Sequence, residues 1–374
     1  MPSSSPGAVV SPHLPVRQDW LDRRHEEIIE PDLPIVDPHH HLVDRPEPGR
    51  YLLPQLLADI GGSRRSDPRT EIRGSPDAGS ASSDCVGGGH NITATVYLEW
   101  LSMYRAQAPA ELRPVGEVEF ANGVAAMAAS GTYGTTKVCA RIVGYADLAL
   151  GASVEKVLEA MIEAGGGRFR GIRFITASHS DQAAWGSPII RPAGLLMDPK
   201  AREGFARLAP LGLSFDAWMY HTQLGDLVDL ARAFPETQIV LDHVGGAIGL
   251  GPYAGKRDEV FAAWSGKIPE LASCPNVHVK LGGLGMRMFG FTHHMGELPP
   301  SSEELAAAWR PYIETCIAAF GPERAMFESN FPVDKGSCGY AALWSAFKRI
   351  AASHSAAEKA ALFGGTASKF YRLE

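Results

Sequence analysis

Cysteine is scarce: five residues in a chain of 374, Cys85, Cys139, Cys274, Cys316 and Cys338, none paired as C-x-x-C. Their odd number and scatter exclude a disulfide framework and a thiolate zinc cluster, and they fit a cytoplasmic chain. No apolar run approaches the ~20 residues of a membrane span. Positive charge is also short, with 35 Lys and Arg against 42 Asp and Glu and a net charge of −7. The basic face of a nucleic-acid binder is therefore not expected. The opening MPSSSPGAVVSPHLP lacks the positive start and apolar stretch of a secretory signal, and reads as no transit peptide either. Residues 1–30 are expected to form a Pro/Ser-rich arm, poorly ordered or draped over a neighbouring subunit of a homo-oligomer. Three signatures are missing as well: G-x-S-x-G, a Walker loop, and G-x-G-x-x-G after a strand. Their absence removes the serine hydrolase, the P-loop enzyme and the nicotinamide dehydrogenase.

What is present is globular, with 45 % hydrophobic and 21 % charged residues. The length suits two domains of ~150 residues, or one (β/α)8 barrel of ~250 residues with long loops. Eight β-like runs decide between them: IVDPHHH (35–41), ATVYLE (94–99), VCARIVGY (138–145), FRGIRFI (169–175), LSFDAWMY (213–220), TQIVLDHV (237–244), NVHVKLGG (276–283) and RAMFESNF (324–331). Helical stretches such as VEKVLEAMIEAG, QLGDLVDLARAF and ELAAAWRPYIETCIAAFG separate them. Alternating buried strands and helices imply parallel βα units, and eight of them imply closure into an α/β TIM barrel with its chemistry at the strand C-terminal ends. A doubly wound open sheet would place a Gly-rich turn after the first strand, where this chain places three histidines. One domain over 31–374 is expected. Long loops follow the first strand (61–90, Gly/Ser-rich) and the seventh (284–302, LGMRMFGFTHHMGELPPSS), the second suited to a substrate wall.

The densest chemistry is Asp37-Pro38-His39-His40-His41. Strand alternation puts Asp37, His39 and His41 on one face and His40 on the other. Two imidazoles so spaced can converge on one cation, with zinc the usual partner of nitrogen ligands. They can equally form a hydrogen-bonded cluster that binds a substrate anion. His221 follows the fifth run as a further ligand or substrate contact. His243 ends the sixth, on a face with Ile239 and Leu241, while Asp242 points away. In the eighth run Met326, Glu328 and Asn330 share a face. Hydrolysis by activated water needs a proton acceptor, and Asn330 cannot be one. Glu328, one layer deeper, and Asp334, in the loop beyond, are the carboxylates at hand; Glu328 also suits pairing with a barrel cation. Imidazole titrates near neutral pH, so His243 is the preferred acid–base group, with Glu328 or Asp334 tuning it. Arg173 suits capture of a substrate carboxylate, or a salt bridge to Glu99, Glu117 or Glu119. Lys280 and Arg287 complete the substrate-binding cations.

Together DPHHHLVD, YLLPQLLADI, VYLEW, GRFRGIR, IVLDHVGG, VKLGGLGM and ESNFPVD resemble the amidohydrolase superfamily. The nearest branch is the amidohydrolase-related (amidohydrolase 2) one, which includes sugar and pyrone-dicarboxylate lactonases; the resemblance runs from about residue 33 to 373. It implies a distorted (β/α)8 barrel that hydrolyses an ester, lactone or amide. It further implies that His39 and His41 bind a divalent ion with strand-five or strand-six histidines and a strand-eight Asp, or that Arg and His side chains grip substrate without a metal. The sequence departs at that Asp, which is Asn330. It departs again where a strand-four Lys or Glu would bridge two ions, since Arg173 or Thr176 stands there. A single zinc at most is therefore expected.

The expected activity is the opening of a small carboxylated lactone or cyclic ester by activated water. The alternatives are decarboxylation or hydration of an aromatic or unsaturated acid on the same site, and a catalytically silent binding protein. The partner in each case is a small acidic molecule.

Overall fold

All eight β-like runs form strands, and they pair in parallel in chain order: β1 (Pro34–His40), β2 (Asn91–Leu98), β3 (Lys137–Gly144), β4 (Phe169–Ile175), β5 (Ser214–Trp218), β6 (Ile239–Leu241), β7 (Val277–Leu281) and β8 (Ala325–Phe327). The structure is a computed structural model that describes residues 13–45, 49–61, 89–186, 189 and 191–373. A parallel bridge between His40 and Phe331 joins the last strand's extension to the first. The His41 N–H donates to the Phe331 carbonyl at 2.8 Å and the Asn330 N–H to the His39 carbonyl at 2.9 Å. The result is a TIM-barrel-like α/β fold.

Two apolar layers follow from strand alternation. Outward residues such as Ile35, Tyr97, Ile142, Ile172, Phe215, Ile239 and Val279 join the large core under the helices. Inward residues Val36, Val96, Leu98, Val143, Val240 and Met326 fill the barrel floor, which Tyr371 of the C-terminal helix Thr366–Tyr371 plugs from below. Above that floor the interior turns polar. The expected helical stretches become Glu155–Ala164, Leu224–Ala233 and Ser302–Phe320. The last starts at a capping box in which Ser301 accepts from Glu304 N–H, an arrangement that stabilises by about 1 kcal/mol. No described helix is long and apolar enough to cross a membrane.

Residues 62–88 of the first long loop lie outside the described residues. The loop after β7 folds into two short turns, Arg287–Phe289 and His293–Met295. Against it lie residues 17–26 of the arm. Trp20, buried, donates its indole N–H to the Gly296 carbonyl at 3.0 Å, and Arg23 donates to the Glu297 carbonyl at 3.0 Å. Glu26 accepts the Ser302 N–H at 2.9 Å, and Lys348 reaches the carbonyls of Ile29 and Glu30. These contacts are to the same chain.

Candidate functional site

Three of the histidines singled out above meet at the C-terminal end of the barrel. The ring of His39 lies 4.9 Å from that of His41 and 4.6 Å from that of His243, and all three are fully buried. Asp37 is not with them. Register shifts interrupt β1 between Asp37 and His40, so the simple alternation fails. The Asp37 carboxylate instead accepts from Ser329 N–H and Tyr340 O–H, both at 3.0 Å. His40 turns to Thr95, 2.8 Å from its Nε2.

Strand six departs from the expected alternation in the opposite sense. Val240 faces inward and Ile239 and Leu241 outward, which sends Asp242 into the barrel rather than away from it. His243 still reaches the centre because the strand has ended: His243 and Val244 take φ of 55° and 47°, and the chain turns the imidazole inward. Strand eight likewise stops at Phe327. Asn330, at φ 54°, leaves the Glu328 face and donates its side-chain N–H to Asp334 Oδ1 at 2.8 Å.

Glu328 is the hub. Its Oε2 lies 2.6 Å from His39 Nδ1 and its Oε1 2.7 Å from His243 Nδ1, with the His243 backbone N–H a further donor at 3.1 Å. Burial works against its charge, but the imidazoles of His243 and His39 outweigh it and hold Glu328 well below the usual carboxylate range. The carboxylate fixes the His243 tautomer, with the proton on Nδ1 and a lone pair on Nε2, while His39 Nδ1 stands between Glu328 Oε2 and Lys280 Nζ, at 2.6 and 3.2 Å. The Leu98 carbonyl, 3.0 Å from His41 Nδ1, fixes the tautomer of the third ring.

Around the rings stands a set of buried charges. Lys280 donates to Asp216 at 2.7 Å, lies 3.0 Å from Asp242 and 3.2 Å from His39 Nδ1. Burial opposes its charge, and Asp216 and Asp242 overcome it. Asp216 is pushed up by burial to about 6, less than burial alone would give because Lys280 and the Tyr371 hydroxyl bind it. Arg173 is tied through Nε to Glu99 Oε1 at 2.8 Å and through Nη2 to the Glu99 carbonyl, while Nη1 stands 3.3 Å from His39 Nε2. Asp334, fully buried, is pushed up by burial to about 7, tempered by the Gly285 N–H at 2.8 Å.

Two glycines of the VKLGGLG run make this packing possible. A Cβ at Gly283, where φ is +69°, would lie 2.4 Å from His243 Nδ1, and one at Gly285 would lie 2.7 Å from Asp334 Oδ2. Only a bare backbone passes over both side chains.

His221 is placed elsewhere. Its Nδ1 receives the Ile248 N–H at 3.3 Å and its ring packs 5.3 Å from Tyr253. Arg287 sits half-buried on the turn after β7. Asp216 is a site residue that the motif reading passed over; Asp242, expected to point away, faces Lys280, and Glu99, one of three carboxylates named as partners for Arg173, is the one with which it pairs. A lone carboxylate within the apolar strand LSFDAW was a readable signal for the first.

The donor set suits one divalent cation. His39, Asp242 and His243 offer ligand atoms within 4.8 Å of one another. The Nε2 atoms of His39 and His41 are 3.2 Å apart, near the roughly 3.3 Å of two nitrogens bound tetrahedrally to zinc at ~2.0–2.1 Å. Burial foremost, with Lys280 for His39 and Arg173 for His41, keeps both imidazoles well below their ordinary pKa and hence neutral. Lys280 pairs with Asp216 and Asp242, and Arg173 with Glu99, yet Asp242 Oδ2 is a buried acceptor that meets no hydrogen-bond donor among the described residues, and a divalent ion would satisfy it.

A family model described as amidohydrolase matches residues 36–373. The chain is 40 % identical over 232 residues to uncharacterized protein y4mH of Sinorhizobium fredii, covering 62 % of this chain and 69 % of that one. It is 30 % identical over 243 residues to an L-fucono-1,5-lactonase of Burkholderia ambifaria, covering 64 % and 72 %. Among solved structures, an amidohydrolase of Burkholderia multivorans with bound zinc superposes with a TM-score of 0.62 at 23 % identity, over 91 % of this chain and 99 % of that one.

Proposed function

We propose, from the premise that this chain belongs to the amidohydrolase family and is a hydrolase, that it opens a small carboxylated lactone. The observation that carries the reading is the His243–Glu328 pair: a buried carboxylate 2.7 Å from Nδ1 leaves Nε2 as a proton acceptor. Similarity to an L-fucono-1,5-lactonase supports the lactone as the class of bond.

Water adds through its oxygen to the lactone carbonyl carbon while His243 Nε2 takes the proton. The tetrahedral adduct then collapses, the ring C–O bond breaks, and His243 returns the proton to the leaving alkoxide. Glu328 holds the ring in place and stabilises its protonated form, the role a buried carboxylate plays behind a catalytic histidine. Arg173, next to His39, presents positive charge toward the developing oxyanion. A divalent ion, zinc by the nitrogen donors, would be held by His39 and His41 with Asp242 beside them, which leaves His243 Nε2 to the proton. When bound it would polarise the carbonyl or acidify the water.

A lactone panel assayed with and without chelator tests the reading. Ring opening that drops by ~100-fold or more in His243→Gln supports it. Hydrolysis of no lactone by a metal-replete preparation, or turnover untouched by that substitution, overturns it.

A further inference from the structure

Arg173 has its donors committed to Glu99 and His39. A second group of cations at the same mouth is committed only in part, Arg45 through Nη2 to the Trp100 carbonyl and Arg191 through Nη2 to the Tyr145 hydroxyl. Arg45 follows β1, Tyr104 follows β2, Tyr145 follows β3 and Arg191 follows β4, so loops from four consecutive strands gather on one side of the site. The Arg45 guanidinium lies 4.8 Å over the Trp100 ring, which in turn packs 5.0 Å from His41. Arg191 donates Nη2 to the Tyr145 hydroxyl at 2.8 Å and stands 5.4 Å over that ring. Tyr104 is near enough to both arginines for their charges to interact with its hydroxyl.

Within this group Arg45 Nε, Arg191 Nε and Tyr104 Oη are buried donors that meet no acceptor among the described residues. A buried donor left unpaired is costly, so three in one place call for an acceptor brought from outside. The donors give its sign: an acceptor that meets two guanidinium N–H groups and a phenol O–H is an anion. The nearby carboxylates are already engaged, Glu99 by Arg173 and Glu117 by the Tyr97 hydroxyl and the N–H groups of Trp100 and Ser102. The walls are the rings of Trp100, Tyr104 and Tyr145, with His13 of the arm packed 5.2 Å from Trp100.

We propose that Arg45, Tyr104 and Arg191 form an anion subsite that binds a carboxylate carried on the substrate ring, away from the carbonyl held over the histidines. Calling the occupant a substrate rests on the lactonase reading. The experiment does not, because its probe is no lactone.

Isothermal titration with benzoate, methyl benzoate and inorganic phosphate reads the subsite directly, whether or not any lactone is turned over. Benzoate should bind at least about tenfold more tightly than its neutral ester and more tightly than phosphate. Arg191→Gln should weaken benzoate by about tenfold or more, the scale of a lost charge-assisted hydrogen bond. Tyr104→Phe, a substitution that leaves the ring packing intact, should weaken it by about threefold or more. Benzoate affinity that survives both substitutions, no preference over the ester, or tighter binding of phosphate overturns the proposal.

Discussion

The Nε2 atoms of His39 and His41 face each other at 3.2 Å, while His41 Nδ1 meets the Leu98 carbonyl and His39 Nδ1 lies 2.6 Å from Glu328 Oε2. Two lone pairs so placed repel unless a cation or proton lies between them. One divalent ion per chain is therefore expected after loading, measured by elemental analysis, with two ions per chain or none as the contrary results. His41→Gln should weaken binding of that ion by tenfold or more, and Glu328→Gln by roughly 10–100-fold, the scale of lost outer-shell support.

His243 and Glu328 act as a unit in the proposed chemistry. Each of His243→Gln and Glu328→Gln should cost turnover ~100-fold or more, and the double substitution little beyond the worse single one. Multiplying losses in the double variant would show the two working separately.

Much of this centre is legible in the sequence. The eight strands, the strand-end histidines and the odd carboxylate at Glu328 all follow from alternation and motif spacing. Alternation misleads where strands stop. Asp242 faces in and Asp37 does not, because β6 keeps the other parity and β1 shifts register before its histidines. His243 and Asn330 take positive φ, a backbone state that residue type alone does not announce. Glu99 is legible as one of three carboxylates that Arg173 could meet; which of the three it pairs with across the barrel is not carried by pairwise spacing.

Gly283 offers a test of how tightly His243 is set. An alanine there would add a Cβ 2.4 Å from His243 Nδ1 at a φ of +69°, moving the ring away from Glu328. Gly283→Ala should lose about 1–3 kcal/mol of stability and activity together. Gly225→Ala, on the helix Leu224–Ala233 with open space at its Cβ, should gain up to about 1 kcal/mol. Denaturant midpoints and turnover of both variants check the pair; full activity in Gly283→Ala would refute the close fit.

His90 reports on pH far from the site. It is buried, with Nδ1 2.8 Å from Lys348 Nζ and Nε2 3.0 Å from the Ala341 carbonyl. Burial first, and then Lys348, push its pKa down to about 3. The native state therefore keeps it neutral while the unfolded chain takes a proton below about 6.5, so its contribution is whole above that pH and fades as pH falls toward 3. His90→Gln should be destabilising at pH 7, and the gap to the parent should narrow below pH 6.5 by at most about 1.4 kcal/mol per pH unit. Chemical denaturation at pH 7 and pH 5 measures it; a gap that stays constant or widens contradicts the assignment.

Asn330→Asp restores a carboxylate where the resemblance led one to expect it, and its consequence follows from the Asp334 contact. Aspartate tolerates the positive φ of this position about as well as asparagine. Its oxygen would replace the Nδ2 that now donates to Asp334 Oδ1 at 2.8 Å, and two carboxylate oxygens at that distance must share a proton. Asp334, already lifted by burial to about 7, would become half of a coupled pair whose first proton leaves more easily and whose second leaves with more difficulty. The single inflection near pH 7 expected of the parent should then split, one limb moving down and the other up, in the pH dependence of kcat/KM and in carboxyl carbon shifts. The added negative charge beside the histidines should strengthen binding of a divalent ion and leave activity within about tenfold of the parent, since His243 still accepts the proton. An inflection that stays single near pH 7 would mean that Asp334 and residue 330 do not share the proton, and a loss of activity beyond ~100-fold would mean that Asn330 itself is required.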